Sequence, residues 1–108
     1  MPWTSLCTVD ELAAGTGKYV EIGGFELAVF FSDGGYFVID NRCPHAGANL
    51  ASGAVAAGRV TCPKHAWTFE LANGTLVGSP GVCVRNYPVR VHQRPDKPDL
   101  IQADLPMF

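Results

Sequence analysis

The stretch KYVEIGGFELAVFFSDGGYFVID, Lys18–Asp40, reads as three strands joined by two tight turns. Lys18–Ile22 leads through Gly23-Gly24 into Phe25–Phe31, and a two-glycine joint between apolar runs is a hairpin signal. Ser32-Asp33-Gly34-Gly35 is a second turn. Tyr36–Asp40 follows, rich in β-branched and aromatic residues that favour a pleated, half-buried surface.

Outward from this core, the same punctuation continues. Asn41–Gly58 is rich in Ala and Gly and reads as a long loop. Arg59–Thr61 and Trp67–Leu71 are short strands. Asn73-Gly74 is the strongest two-residue hairpin signal in the chain and joins Trp67–Leu71 to Thr75–Val77. Gly78-Ser79-Pro80-Gly81 breaks the pattern. Val89–Val91 and Leu100–Ala103 read as strands joined by the polar loop Gln93–Asp99. On the other side, Thr8 and Glu11 form a capping box and predict one short helical turn. Short strands at this spacing predict an all-β fold, a small antiparallel barrel or sandwich.

The composition agrees. A chain of 108 residues is one domain, 1–108, and twelve glycines and eight prolines are many for a helical protein. Eight basic and ten acidic residues give a net charge of −2 and no basic tract, so neither nucleic acid nor a membrane surface is an expected partner. That balance suits solubility, and a mildly acidic carrier would suit a basic partner face. No apolar run reaches the roughly 18 residues of a spanning helix. Met1–Ser5 lacks the pattern of a signal peptide, so a cytoplasmic location is expected.

Four cysteines remain to be placed. In a cytoplasmic protein they are reduced or metal-bound rather than paired. Cys7 and Cys83 have no histidine nearby and read as small buried apolar residues. Cys43-Pro44-His45 and Cys62-Pro63-Lys64-His65 differ, because each sets a thiol close to an imidazole after a strand. Zinc accepts two cysteines and two histidines, but structural zinc sites usually pair like with like. A mixed pair in each of two loops suits a binuclear cluster better, with both cysteines on one iron and both histidines on the other. From the residues alone, zinc and the cluster both stay open.

The motif pair C-x-H and C-x-x-H, sixteen residues apart, resembles the Rieske family. So do Pro44 and Pro63, the strand end Asp40-Asn41-Arg42, the aromatics Trp67 and Phe69, and the Asn73-Gly74 hairpin. The likeness runs from about Tyr19 to Ala103. It implies a Rieske-like fold with a cluster-binding part at about 41–81 and one [2Fe–2S] cluster per chain. Cys43 and Cys62 would hold the buried iron, His45 and His65 the outer one. Neutral imidazoles in place of two thiolates raise the potential into a range of about −150 to +300 mV. High-potential relatives carry an extra cysteine in each loop, where this chain has Ala48 and Lys64, and hydroxyls where it has Trp67 and Phe69. Fewer hydrogen bonds to the cluster sulfurs place this centre low in the range. Gly78–Gly81 would form a third loop shielding the cluster. Lys64 would lie on the exposed rim, and Ala66 stands where many relatives have Gly.

The resemblance implies an electron carrier rather than an enzyme, a monomer when free. One context is a ferredoxin between a flavin reductase and a Rieske oxygenase. Another is the small subunit of an assimilatory NAD(P)H nitrite reductase, which Leu27–Phe30, Asp40–His45 and Asn86–Val91 resemble. A third reading is a zinc-stabilised binding module without redox activity. No nucleophile–base pair or nucleotide-binding glycine loop is evident, since Gly15-Thr16-Gly17 and Gly23-Gly24 are too short, and His92 reads as a surface residue.

Overall fold

The computed structural model describes residues 3–12, 15, 17–44, 47–64 and 67–106, the side chain of Pro80 apart. Twelve strands are present among them: β1 Trp3–Thr8, β2 Gly17–Ile22, β3 Phe25–Ser32, β4 Gly35–Asp40, β5 Ala54–Ala56, β6 Arg59–Thr61, β7 Thr68–Glu70, β8 Thr75–Leu76, β9 Ser79–Cys83, β10 Asn86–Tyr87, β11 Val89–His92 and β12 Leu100–Asp104. They form three antiparallel sheets, ordered β1-β12-β11, β10-β4-β3-β2 and β5-β6-β7-β8-β9. The all-β expectation holds. Among the described residues no helix is long and apolar enough to cross a membrane.

The β3–β4 pair explains why Leu27–Phe31 is apolar without a break. Side chains alternate between the faces of a sheet, and here both faces are covered. Leu27, Val29 and Val38 pack with Ile101, Ala103 and Leu105 in one core. Ala28, Phe30 and Ile39 pack with Leu50, Val60, Phe69 and Leu71 in the other. The register matches Ala28 to Ile39 and Val29 to Val38, so each cross-strand pair serves one core. A slip by one residue would exchange the two sets.

The turns follow the sequence where turn chemistry is local. Gly23-Gly24 joins β2 to β3 in a two-residue turn, with Ile22 opposite Phe25. Asp33-Gly34 does the same for β3 and β4. Thr8 and Glu11 make the expected capping box on a single 3₁₀ turn, Val9–Glu11. Glu11 is pulled below the ordinary carboxylate range, first by the Thr8 backbone and side-chain hydrogen bonds and then by Lys18.

Other expectations need correction. The connection β7–β8 is four residues, not a two-residue Asn-Gly turn. Gly74 N–H donates to the Glu70 carbonyl at 2.7 Å while Leu71 turns into the core. Asn73 Oδ1 accepts from the Thr75 N–H at 3.0 Å. The supposed break at 78–81 is largely strand β9, an edge strand where a proline forfeits little of the ladder. Cys83 lies on that strand and is exposed, not buried. Cys7 is buried as expected.

Burial first, then the charge of Glu11, pushes the Cys7 thiol from an ordinary 9.0 up to about 11. The folded chain therefore keeps a proton that the unfolded chain loses at lower pH. This contribution to stability is present below about pH 9 and fades as pH rises through about 11. The thermal midpoint is expected to fall over that window, and Cys7→Ala to lessen the fall. An identical slope in the variant would show that Cys7 does not titrate there.

Candidate metal centre

Cys43 and Cys62 each open a loop at the end of a strand segment. Each is 1% exposed, neither is in a disulfide, and both belong to the core shared by β3–β4 and the five-stranded sheet. The two loops close in the same way. Cys43 N–H donates to the Ala48 carbonyl at 2.9 Å, and Cys62 N–H donates to the Trp67 carbonyl at 2.7 Å. In both, a cysteine is tied to the residue five positions on, and the motif histidine falls inside the closed loop. His45 and His65 themselves lie outside the described residues, as does Ala66.

The base of the first loop is a short ladder. Asn41 N–H donates to the Glu26 carbonyl at 2.9 Å, and Leu50 N–H donates to the Asn41 carbonyl at 2.8 Å. Arg42 and Asn49 form an isolated antiparallel bridge. Gly47 N–H donates to the Cys43 carbonyl at 2.8 Å, and Gly47 then turns the chain with a left-handed φ of 66°, which glycine adopts without steric cost. The buried Asn41 side chain completes the clamp, with Oδ1 accepting from the Ala51 N–H at 2.8 Å. The sequence marks Asn41 only as part of the strand end Asp40-Asn41-Arg42 and gives its side chain no role. Its only local signal is a polar residue between a strand and a ligand motif.

Asn41→Ala is expected to cost roughly 1–3 kcal/mol, because it leaves the buried Ala51 N–H unpaired. Asn41→Asp, which keeps the acceptor, is expected to recover part of that loss in urea unfolding. Equal losses would show that the acceptor is not what matters.

A second tie runs from β10. Tyr87 hydroxyl donates to Asp40 Oδ1 at 2.6 Å, and Asp40 N–H donates to the Arg85 carbonyl at 2.9 Å. Burial, then the bond to Asp40 and its charge, push the Tyr87 phenol well above its ordinary range. Tyr87 is thus a neutral donor that fixes the strand end three residues before Cys43. Beside the second loop, Thr61 and Thr68 hydroxyls meet across β6–β7 at 3.2 Å. Phe69 is fully buried and Trp67 half-buried, and neither side chain carries a hydroxyl.

The donor set suits an iron–sulfur cluster. A thiol is deprotonated when it coordinates a metal, and the metal's positive charge offsets the cost of holding that thiolate in a dry site. Among the described residues no three ligating side chains gather, and the two cysteines are the ligand candidates found there.

Known proteins point the same way. The 3-phenylpropionate/cinnamic acid dioxygenase ferredoxin subunit of Photorhabdus laumondii is 35% identical over 88 residues, 80% of this chain and 83% of that protein. The solved ferredoxin of Sphingomonas yanoikuyae B1 superposes with a TM-score of 0.80 at 30% identity, covering 96% of this chain and 99% of that one. A protein assigned as the NADH-dependent nitrite reductase small subunit of Mycobacterium tuberculosis gives 0.81 at 29%, covering 95% of each chain. Other curated relatives are far longer, and the chain spans 17% of the cholesterol 7-desaturase nvd of Hemicentrotus pulcherrimus, 40% identical over 80 residues. The Rieske [2Fe-2S] domain family matches residues 2–88, which takes in both cysteine loops and every strand of the two sheets that carry them. Over that length, the chain belongs to the Rieske [2Fe-2S] domain family.

Proposed function

We propose that the chain is a single Rieske domain, 1–108, whose part at about 41–81 holds the cluster, and that it carries one electron at a time as a ferredoxin. The observation that carries this is the matched pair of loops, each opened by a cysteine 1% exposed. Cys43 and Cys62 hold one iron, and His45 and His65 the other. When bound, the cluster supplies a reversible one-electron couple. The chain's own residues exclude water from the cysteines and hold the two loops in register.

The carrier takes electrons from a flavin reductase and passes them to a Rieske oxygenase, as a free, cytoplasmic monomer. Its likeness to the Photorhabdus ferredoxin subunit over four-fifths of both chains supports this reading. A second reading, the small subunit of a nitrite reductase, is favoured by the Mycobacterium tuberculosis neighbour. A sirohaem-containing partner would select the second, and an oxygenase or flavin reductase the first.

Electron paramagnetic resonance of the dithionite-reduced protein, with iron and sulfide analysis, tests the centre itself. A rhombic signal typical of nitrogen-ligated [2Fe–2S] centres is expected, and zinc without iron would overturn it. The buried Phe69 and half-buried Trp67 offer the cluster no hydroxyl, so the midpoint is expected near the bottom of the Rieske span, about −150 mV. A midpoint above about +100 mV would contradict this.

A further inference from the structure

The sheet β1-β12-β11 ends on β11, and among the described residues no strand pairs with its outer edge. The register shows which groups are free there. Pro88 carbonyl accepts the Asp104 N–H at 3.0 Å, so Pro88, Arg90 and His92 are the positions bonded to β12. Val89 and Val91 alternate with them and turn their N–H and C=O groups outward. The edge is also regular. β1 and β9, two other edge strands, each carry a register shift, and β11 carries none. Shifts of that kind blunt an edge against further pairing.

The two faces of this edge differ. Val89 and Val91 stand opposite Ala103 and Ile101, which are core residues, and share their face of the sheet. Val91 is nevertheless 40% exposed, since nothing covers it from the open side. Beside Val89 lies an open hollow of about 440 Å³, lined in part by Tyr36, Phe37, Leu71 and Pro88. It exists because β10 pairs with β4 only at Val38 and Ile39, so Tyr36 and Phe37 run on past the end of β10. On the other face stand Arg90 and His92, both exposed. Arg90 Nε donates to Gln102 Oε1 at 2.8 Å, and the guanidinium lies over the Trp3 ring at 4.5 Å. Both partners are neutral. Asp104 lies one position beyond Gln102 on that face, and Asp99 accepts the Arg94 N–H, but no ion pair among the described residues includes Arg90.

We propose that β11 is the edge at which a partner protein adds a strand. The segment it takes is extended, with a carboxylate opposite Arg90 and an apolar side chain on either side of that carboxylate, covering Val91 and reaching toward the hollow beside Val89. Main-chain bonds to Val89 and Val91 give the affinity, and the alternating side chains give the choice of partner. A second copy of this chain is a poor occupant. The two-fold pairing that uses both outward-facing valines sets Val89 opposite Val91, and this brings the two Arg90 side chains directly across from each other, where like charges destabilise. A carboxylate at the same position reverses the sign. The edge belongs to the core that holds neither Cys43 nor Cys62, so the inference stands apart from the metal centre and from the electron-carrier reading.

The test uses the full chain and two synthetic peptides, acetyl-Ser-Thr-Val-Glu-Val-Thr-Ser-amide and the same peptide with lysine in place of glutamate. Binding is followed by NMR titration, with amide hydrogen exchange read residue by residue. The glutamate peptide is expected to bind with a Kd of about 1 mM or tighter. The lysine peptide is expected to bind about threefold or more weakly, as a like charge replaces an opposite one. Exchange of the Val89 and Val91 amides is expected to slow on binding. Val91→Pro removes one outward N–H and leaves the bonds to β12, a place where an edge strand accepts proline. It is expected to weaken binding about fivefold or more. Arg90→Glu is expected to make the lysine peptide the tighter of the two.

A Kd weaker than about 1 mM for the glutamate peptide would overturn the proposal on the unmodified protein alone. Binding that leaves Val89 and Val91 exchange unchanged, or that Val91→Pro does not weaken, would overturn it as well, since the contact would lie elsewhere. Equal affinity for the two peptides would remove the carboxylate from the partner. A dimer of the unmodified chain in sedimentation, lost in Val91→Pro, would make a second copy the occupant and overturn the partner strand.

Discussion

Replacing Cys62 with serine is expected to strip the purified protein of iron and colour, and Cys43→Ser to do the same, whereas Cys83→Ser is expected to leave both in place. The expected loss in the first two is about tenfold or more in iron per chain, since even outer partners of metal ligands cost 10–100-fold in affinity. The contrast follows from location. Cys43 and Cys62 are 1% exposed in a shared core, each tied at the neck of a closed loop. Cys83 is exposed on β9, opposite Thr75. Cys7 belongs to the other core, with Leu27 and Ile101, so Cys7→Ser retains iron as well. Iron and sulfide analysis beside the visible spectrum decides the matter. Full iron in Cys43→Ser together with loss in Cys83→Ser would mean that the ligand set is wrong.

The second large effect is on stability, from Gly74→Ala. Gly74 adopts φ 76°, and a Cβ there would sit 2.2 Å from the Val84 carbonyl oxygen. That contact is with backbone, and the Gly74 carbonyl itself accepts the Val84 N–H at 2.8 Å, so the neighbour cannot step aside without losing a bond. Gly34 is the matched control. It has the same φ of 76°, but nothing lies within 4 Å of its Cβ position. Gly34→Ala carries only the left-handed strain, about 1 kcal/mol. Gly74→Ala adds displacement of the segment that follows β9, for a total of at least about 3 kcal/mol. Urea unfolding of the two variants measures the difference. Equal losses would show that the close approach carries no energy.

This pair shows what turn chemistry reveals and what it hides. Asn73-Gly74 signals a turn in the sequence, and a turn is there. The reason for the glycine is a carbonyl ten residues later, which no local pattern discloses. The turn that joins β5 to β6 was missed altogether. It uses Ala57 at φ 52° beside Gly58, and alanine gives no signal for a left-handed backbone. What holds it is Ser32, whose Oγ accepts the Gly58 N–H at 2.9 Å from the end of β3. β5 and the 3₁₀ turn Leu50–Ser52 were hidden in the same way inside an Ala- and Gly-rich stretch. β1 and β10 also escaped sequence reading. Trp3–Thr8 is extended because it pairs with Leu100–Asp104 at the far end of the chain, and a pairing of that span leaves little local trace.

The sequence by itself determined three things about this protein. Runs of β-forming residues and two-residue turns set the strands of Lys18–Asp40. The spacing of cysteine and histidine named four candidate ligands, Cys43, His45, Cys62 and His65, because residue type and order are covalent facts. The count of charged residues set a net charge of −2 with no basic tract. Tertiary structure decided the rest. It sorted one apolar run, Leu27–Phe30, between two cores, and it buried Cys43, Cys62 and Cys7 while leaving Cys83 exposed. It also gave Asn41 and Tyr87 their roles in fixing the first loop. These outcomes depend on which distant residues meet. Burial and hydrogen-bond satisfaction are properties of the packed assembly, and a residue's neighbours in sequence do not set them.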